Sequence, residues 1–479
     1  MVFYMLGNIL KIMAGVVLVP LFISLGFRES VLPFVYTMII FLGLGFILAP
    51  IRPKDRTFYT KEGVVVVGLC WILVSLIGCL PFIFSRQIPY FFDAFFEMVS
   101  GITTTGSSVV NDVEVLSHGI LFWRVLTHFV GGIGILVFVL AILPKSDASA
   151  IHLLKAEVAG PSVGKMTSKI KMSSIILCGI YFGLSLAYFI FLVCGGMGWF
   201  DAICMTFSVA GTGGFSNYNS GILHFNSLYV EIVTTLFMFL FSINFTIYFL
   251  ILTGKFVQIL KSEELRAFVI IVIVAIFTVA LNIMNMVGGF GEALRESSFT
   301  VVSIISTTGM GGYNFGIWPA FSQVLIVMLM ILGGCAGSTA GGYKTTRVVS
   351  LSKICAYKVK HVINPRNVSV LRVEGKAQDE NYVSELLVFT LLYVIVICLF
   401  SLIVSTDPTL DLGSAFTSVI SSFNNVGPAL GNIGPMSTFA ALNGFSKVVL
   451  SMLMLIGRLE ILPILILLAP STWKRRHNA

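Results

Sequence analysis

Hydrophobic positions in this chain fall into long unbroken runs. Two come first, at about 3–26 and 32–49, joined by the short loop 26–30. A basic loop follows, with Arg52, Lys54, Arg56 and Lys61. One pattern then occurs four times: a long apolar segment, a short partly apolar one, a polar glycine-containing run, and another long apolar segment. The copies occupy about 63–85, 91–102, 103–108 and 119–143; 172–195, 200–210, 211–216 and 227–254; 267–288, 293–305, 306–312 and 320–350; and 383–404, 412–423, 424–431 and 439–469. The long runs match a helix crossing roughly 30 Å of hydrocarbon, which takes about 20 residues. The short ones do not reach, and their length predicts half-helices that dip in and return. Irregular backbone at membrane depth is tolerated only where protein buries it or water lines it. The dyad alternation of an outer-membrane barrel is absent.

The repeat is visible in the residues themselves. Phe92-Asp93-Ala94 and Phe200-Asp201-Ala202 open the first two short segments. Aligning them without gaps places Ser100 on Ser208, Thr104 on Thr212 and Gly106 on Gly214. The other copies match through Ser-Thr-Thr-Gly at 306–309 and Asn-Asn-Val-Gly at 424–427. A spacing near 100 residues excludes short-period solenoids. Two crossings per copy start every copy on the same side. The polar runs therefore enter from one face, unlike the loops of inverted-repeat transporters. The expected fold is an all-α integral membrane protein of ten transmembrane helices: two leading helices in 1–50, then four parallel pseudo-symmetric units at 60–145, 170–256, 265–352 and 382–470 around one central pore.

Composition agrees. The 479 residues are 57% hydrophobic and only 11% charged, against about 25% charged in soluble domains. With both termini inside, 24 of the 30 lysines and arginines fall in inner regions. The positive-inside rule thus places the loop mouths outside, and the net charge of +8 speaks for a membrane surface rather than nucleic acid. The eight cysteines form no CxxC pair and read as small buried hydrophobes; the six histidines form no metal cluster. The first apolar run lacks a small-residue cleavage pattern and reads as a retained helix. Paired catalytic carboxylates, HExxH, GxSxG and a Walker loop are all missing, which argues against an enzyme.

The four polar runs are SGITTTGSS at 100–108, SVAGTGGFS at 208–216, SIISTTGMGG at 303–312 and SSFNNVGPALG at 421–431. A dehydrated monovalent cation needs oxygens in place of its water. Backbone carbonyls supply them, and glycine permits the angles that aim successive carbonyls inward. A preceding half-helix adds the partial negative charge of its C-terminal end. None of the runs carries Asp or Glu, whereas a divalent-selective pore is expected to show a carboxylate ring. Asp93, Glu97, Asp201 and Glu292 lie near the starts of the short helices, where they suit a helix N-terminus or concentrate cations at the mouth.

Two features lie deeper. Residues 333–342, GGCAGSTAGG, interrupt the last helix of the third copy. Each glycine costs a helix interior about 1 kcal/mol relative to Ala. Such a run permits close helix packing, but its length and its Ser338-Thr339 pair favour a breakable intramembrane loop, with Lys344 and Arg347 at its inner end. Arg458 sits amid the final apolar run, where a charge is costly and marks a functional position. The alternatives are a structural pair with Glu460 or snorkelling to the inner interface. Residues two apart on a helix do not face each other, which disfavours the local pair.

The four runs together resemble the pore-loop filters of the Trk/Ktr/HKT superfamily of potassium and sodium translocating proteins, and the likeness covers almost the whole chain. The two leading helices resemble the bacterial TrkH branch, as does the inner stretch with Ala156-Glu157, Gly160-Pro161 and Lys165. The resemblance implies potassium uptake across a bacterial plasma (inner) membrane, with sodium permeation or sodium coupling as the alternative. It implies a potassium-binding filter of Thr104, Thr105 and Gly106; Thr212, Gly213 and Gly214; Thr307, Thr308 and Gly309; and Asn425, Val426 and Gly427. In the second loop Gly213 competes with Gly214 for the central position. Glycine in all four copies is similar to the potassium-permeable type. The resemblance further implies a gate formed by Gly334, Ala336, Gly337, Ser338, Thr339 and Gly341, with Arg458 projecting into the pore. A homodimer is implied too, carrying a cytosolic TrkA-type nucleotide-binding ring on its basic inner loops. No covalent cofactor is expected, and nucleotide enters only through that separate subunit.

Overall fold

The computed structural model describes residues 2–51, 60–134, 170–364 and 370–468. Arg52, Lys54, Arg56, the inner stretch at 156–165 and the basic tail from Lys474 lie outside the described residues.

The chain is helical almost throughout. Its leading helices are α1 (Val2–Gly26) and α2 (Leu32–Leu48), followed by α3 (Thr60–Gly78) and a one-turn continuation, α4 (Leu80–Phe84). Then come α5 (Phe91–Ile102), α6 (His118–Ile133), α7 (Ile170–Cys194), α8 (Trp199–Ala210), α9 (Leu228–Phe241), α10 (Phe245–Leu252) and α11 (Phe256–Lys261). The second half holds α12 (Glu263–Ile283), α13 (Phe290–Ile305), α14 (Ala320–Leu332) and α15 (Thr345–Ile363). A small antiparallel hairpin, β1 (Arg372–Val373) and β2 (Lys376–Ala377), leads to α16 (Glu380–Val404), α17 (Leu412–Phe423), α18 (Gly444–Leu459) and α19 (Ile461–Leu468).

Among the described residues, five helical stretches are long and apolar enough to cross a membrane, or six if the bent pair α9 and α10 counts as one span. Part of the shortfall against the sequence expectation has a local cause. Several expected crossings are broken part-way. The chain bends by 92° between α9 and α10, runs irregularly from Gly333 to Lys344, and breaks at Glu460, where φ is 62°. The third short helix is also longer than expected, because it starts at Phe290 rather than near 293.

Four short helices, α5, α8, α13 and α17, form the inner ring. Each packs beside the second long helix of the unit before it: α5 against α18, α8 against α6, α13 against α9, and α17 against α14. That pattern is cyclic, so the first unit closes on the last. The start of α17 is held by Asp411, whose side chain accepts the Ser414 N–H. The start of α18 is held likewise by Asn443 and Ser446. Close approach at the helix crossings depends on small residues. A β-carbon on Gly131 of α6 would stand 1.8 Å from the Ile102 carbonyl oxygen, and one on Gly457 of α18 would stand 1.9 Å from that of Phe423. Of the cysteines, Cys70, Cys79, Cys178, Cys204 and Cys335 are buried, and all eight are free.

Candidate functional site

Each short helix ends in the same turn. Thr104, Thr212, Thr307 and Asn425 all take left-handed backbone angles, with φ between 54° and 57°. At a helix C-terminus that place is usually glycine's. The conformation is costly for a β-branched residue, on the order of 1–3 kcal/mol, and persists only where surroundings over-determine it. Here they do. The Thr105 N–H donates to the Ser100 carbonyl, Gly213 to Ser208 and Val426 to Ser421, each at 2.9 Å. In the third loop the equivalent bond comes one residue later, from Gly309 to Ser303 at 2.9 Å. The residue after next is glycine with positive φ in all four loops: Gly106, Gly214, Gly309 and Gly427.

These glycines close the loops into a ring. A β-carbon on Gly106 would lie 1.9 Å from the Gly213 carbonyl oxygen. One on Gly214 would lie 2.1 Å from that of Thr308, one on Gly309 1.7 Å from that of Val426, and one on Gly427 2.6 Å from that of Thr105. Loop one thus touches two, two touches three, three touches four, and four touches one. In loop two it is Gly214 that shares the register and positive φ of Gly106, Gly309 and Gly427. Gly213 stands with Thr105, Thr308 and Val426, whose carbonyls face the neighbouring glycine.

Side chains brace the ring from behind. Thr103 and Thr105 share a hydroxyl hydrogen bond at 2.8 Å, as do Ser306 and Thr308. The Asn425 amide donates to Thr105 Oγ1 at 2.9 Å and to the Met454 carbonyl at 3.0 Å, tying the fourth loop to the first. Ser107 donates to the Gly427 carbonyl at 2.8 Å. The Thr104 hydroxyl is buried and has no partner among the described residues. The C-terminal ends of α5, α8, α13 and α17 abut the ring, so four partial negative charges lie against it.

Three of the four carboxylates near the starts of the short helices, Glu97, Asp93 and Asp201, are engaged. Glu97 is fully buried against Arg124 at 2.7 Å and accepts the Val109 N–H at 2.9 Å; Arg124 lies over the Phe215 ring. Asp93 pairs with Lys447 at 2.6 Å, and Asp201 accepts from Asn217 and Tyr218 at 3.0 Å each. These are braces of the loop scaffold, and only their helix-start positions were legible beforehand. Outside the membrane-spanning segments, Asp411 sits below the usual carboxylate range because the Ser414 side chain donates to it, partial burial opposing.

Directly against the ring lies the irregular segment from Gly333 to Lys344. Its Gly341 N–H donates to Thr307 Oγ1 at 2.7 Å, so Gly334, Ala336, Gly337, Ser338, Thr339 and Gly341 form one loop packed on the third turn. Main-chain bonds pin it to the break between α9 and α10: Cys335 N–H to the Ser242 carbonyl, and Phe245 N–H to the Gly337 carbonyl, both at 3.0 Å. Arg458 donates to the Thr339 carbonyl at 2.8 Å and to those of Gly131 and Gly132 at 2.5 and 2.9 Å. Glu460 is bound by Arg347 at 2.8 Å. Lys344 donates to the Ala340 carbonyl. Gly132, Gly341, Lys344, Arg458 and Glu460 help line a cavity of about 100 Å³. Among the described residues, no group of three or more His, Cys, Asp or Glu could hold a metal ion. Sequence reasoning missed Glu264, whose carboxylate accepts the Ala336 N–H at 2.6 Å. In the sequence it looks like an ordinary acidic first-turn residue after Ser262.

A multi-pass helical membrane chain with a ring of four glycine turns and an irregular segment packed against it is the class this architecture defines. Comparison with known proteins narrows it. Residues 34–475 match the TrkH family, described as cation transport protein, and the chain belongs to that family. It is 33% identical over 480 residues to the Trk system potassium uptake protein TrkH of Vibrio parahaemolyticus, and 32% identical over 475 residues to that of Salmonella typhimurium. In each case 98% of both chains is covered. It superposes on the crystal structure of the potassium transporter TrkH from Vibrio parahaemolyticus with a TM-score of 0.88, at 32% identity, covering 99% of each chain. These relatives are named as uptake proteins, not enzymes.

Proposed function

We propose that this chain takes up potassium across a bacterial inner membrane, through a filter made by the four loops. The carrying observation is the ring closure: the carbonyl oxygens of Gly213, Thr308, Val426 and Thr105 each meet a neighbouring loop's glycine, with no carboxylate in any loop. Such oxygens suit a monovalent cation stripped of water. Thr104, Thr212, Thr307 and Asn425 are the turn residues that aim them, and potassium is the substrate. Residues 333–342 and Arg458 act as the gate. The Gly341–Thr307 and Arg458–Thr339 bonds support this, since the first holds the loop against the third turn of the ring and the second ties it to α18.

The full arrangement is ten crossings in two leading helices and four parallel units, with both termini inside. The chain works as a homodimer and carries a TrkA-type regulatory ring on its basic inner surface, where nucleotide acts. The relatives' designation as parts of a Trk system supports an assembly of this kind. The test is radiolabelled rubidium uptake into liposomes holding the purified protein, with sodium as competitor. Uptake should persist in excess sodium; equal potassium and sodium entry would overturn the selectivity, and no cation entry would overturn the function.

A further inference from the structure

The gate loop is held by a carboxylate that comes from outside it. Glu264, in the first turn of α12, is buried, with 7% exposure. Its Oε1 accepts the Ala336 N–H at 2.6 Å and the Thr346 hydroxyl, and Asn244 also donates to the carboxylate. Those three partners belong to three elements: the gate loop, the start of α15, and the break between α9 and α10. A single side chain therefore fastens the loop to both segments that flank it.

The same helix turn is gripped from the other side. Glu374 sits at the tip of the hairpin β1–β2, with φ of 49°, followed by Gly375 at 72°. Its carboxylate accepts the backbone N–H of Glu264 at 2.8 Å, and its own N–H donates to Glu263 Oε2 at 2.7 Å. Lys353 of α15 bridges Glu263 and the Arg372 carbonyl. The hairpin is thus one residue away, through the main chain and side chain of Glu264, from the loop under the ring.

We infer that Glu264 is the latch of the gate, a positioning residue that holds Ala336 closed, and that the hairpin tip at Glu374 keeps that latch in place. The inference rests on residues 333–342 being the gate. Pulling the hairpin from α12 removes the acceptor of the Glu264 N–H and displaces the turn that presents the carboxylate. Ala336 then loses its acceptor, while the loop keeps its other bonds, among them those to Phe241, Ser242, Phe245, Thr307 and Arg458.

The experiment combines flux with a native reporter. Cys335, adjacent to Ala336, is 1% exposed and free. In liposomes, Glu264→Ala should raise rubidium flux on the order of tenfold. Labelling of Cys335 by a soluble maleimide, read by peptide mass spectrometry, should rise in parallel. Glu374→Ala, on the hairpin, should move both readouts in the same direction by less, and it keeps the test alive if Glu264→Ala does not fold. Removing 336–341 should itself raise flux, and neither substitution should add to that increase. Unchanged flux and labelling in well-folded Glu264→Ala and Glu374→Ala would overturn the latch. An equal increment in the trimmed background would overturn it as well, because Glu264 would then act elsewhere. Failure of trimming alone to raise flux would instead overturn the gate reading, and the latch with it.

Discussion

Replacing Arg458 by alanine tests the gate most directly. The guanidinium donates to three carbonyls, of Thr339, Gly131 and Gly132. Of these, only Thr339 belongs to the loop, so one charge-assisted bond couples the arginine to closure. Such a bond contributes about 1.5–3 kcal/mol. Each 1.4 kcal/mol is about tenfold, so the closed state should lose roughly ten- to a hundredfold in population relative to the open one. A second effect adds to this. A positive charge about 4 Å from a passing cation repels it by about 4 kcal/mol at an effective dielectric near 20, and Arg458 lines the cavity beside the loop 333–342, on the proposed path. Alanine removes both effects, whereas lysine keeps the charge but not the planar fork that reaches three carbonyls. Rubidium flux into liposomes should therefore rise at least tenfold for Arg458→Ala and by less for Arg458→Lys. Monodisperse Arg458→Ala protein with parental flux would refute the reasoning, and the arginine would be a structural clasp on α6.

Three further outcomes follow from the geometry. Gly309→Ser places a β-carbon 1.7 Å from the Val426 carbonyl oxygen, where ordinary contact begins at 3.4 Å; the loop must shift, and sodium should compete more effectively for rubidium uptake while assembly, judged by size-exclusion chromatography, persists. Glu97→Gln leaves buried Arg124 without its counter-charge and should cost about 3–5 kcal/mol, visible as a large drop in the unfolding midpoint in detergent. Asp411 is depressed in the folded protein, so its contribution is fully present above the unfolded carboxylate value, about 3.9, and is lost as pH falls through the lower folded value. Stability should thus be flat in this respect from pH 5 to 8, and below pH 4 the parent should lose stability more steeply than Asp411→Asn when unfolding midpoints are compared.

The hydrophobic runs, the four polar islands and their order were legible because membrane insertion writes itself into composition: a crossing must be apolar, and a polar stretch within it must have a reason. For the same reason Arg458 and the glycines at 333–342 stood out. Helix breaks were less legible. Ser242-Ile243-Asn244 and Glu460 interrupt apolar runs without a glycine cluster, and their backbone turns are held by distant partners, among them Gly337 and Arg347.

What the sequence determined alone was the repeated unit, a short helix delivering a Thr or Asn and then a glycine. The glycine angles follow from residue type, since glycine admits positive φ freely; the left-handed angles of Thr104, Thr212 and Thr307, two positions earlier, do not, and are held by the bonds around them. What tertiary structure decided was which loop meets which, that Gly214 rather than Gly213 completes the second turn, and that Glu97, Glu264 and Arg458 have their partners. Those partners lie 27, 72 and 119 positions away for Arg124, Ala336 and Thr339. No periodicity reports a contact over such distances; only the packing of the short helices against the long ones brings these groups together.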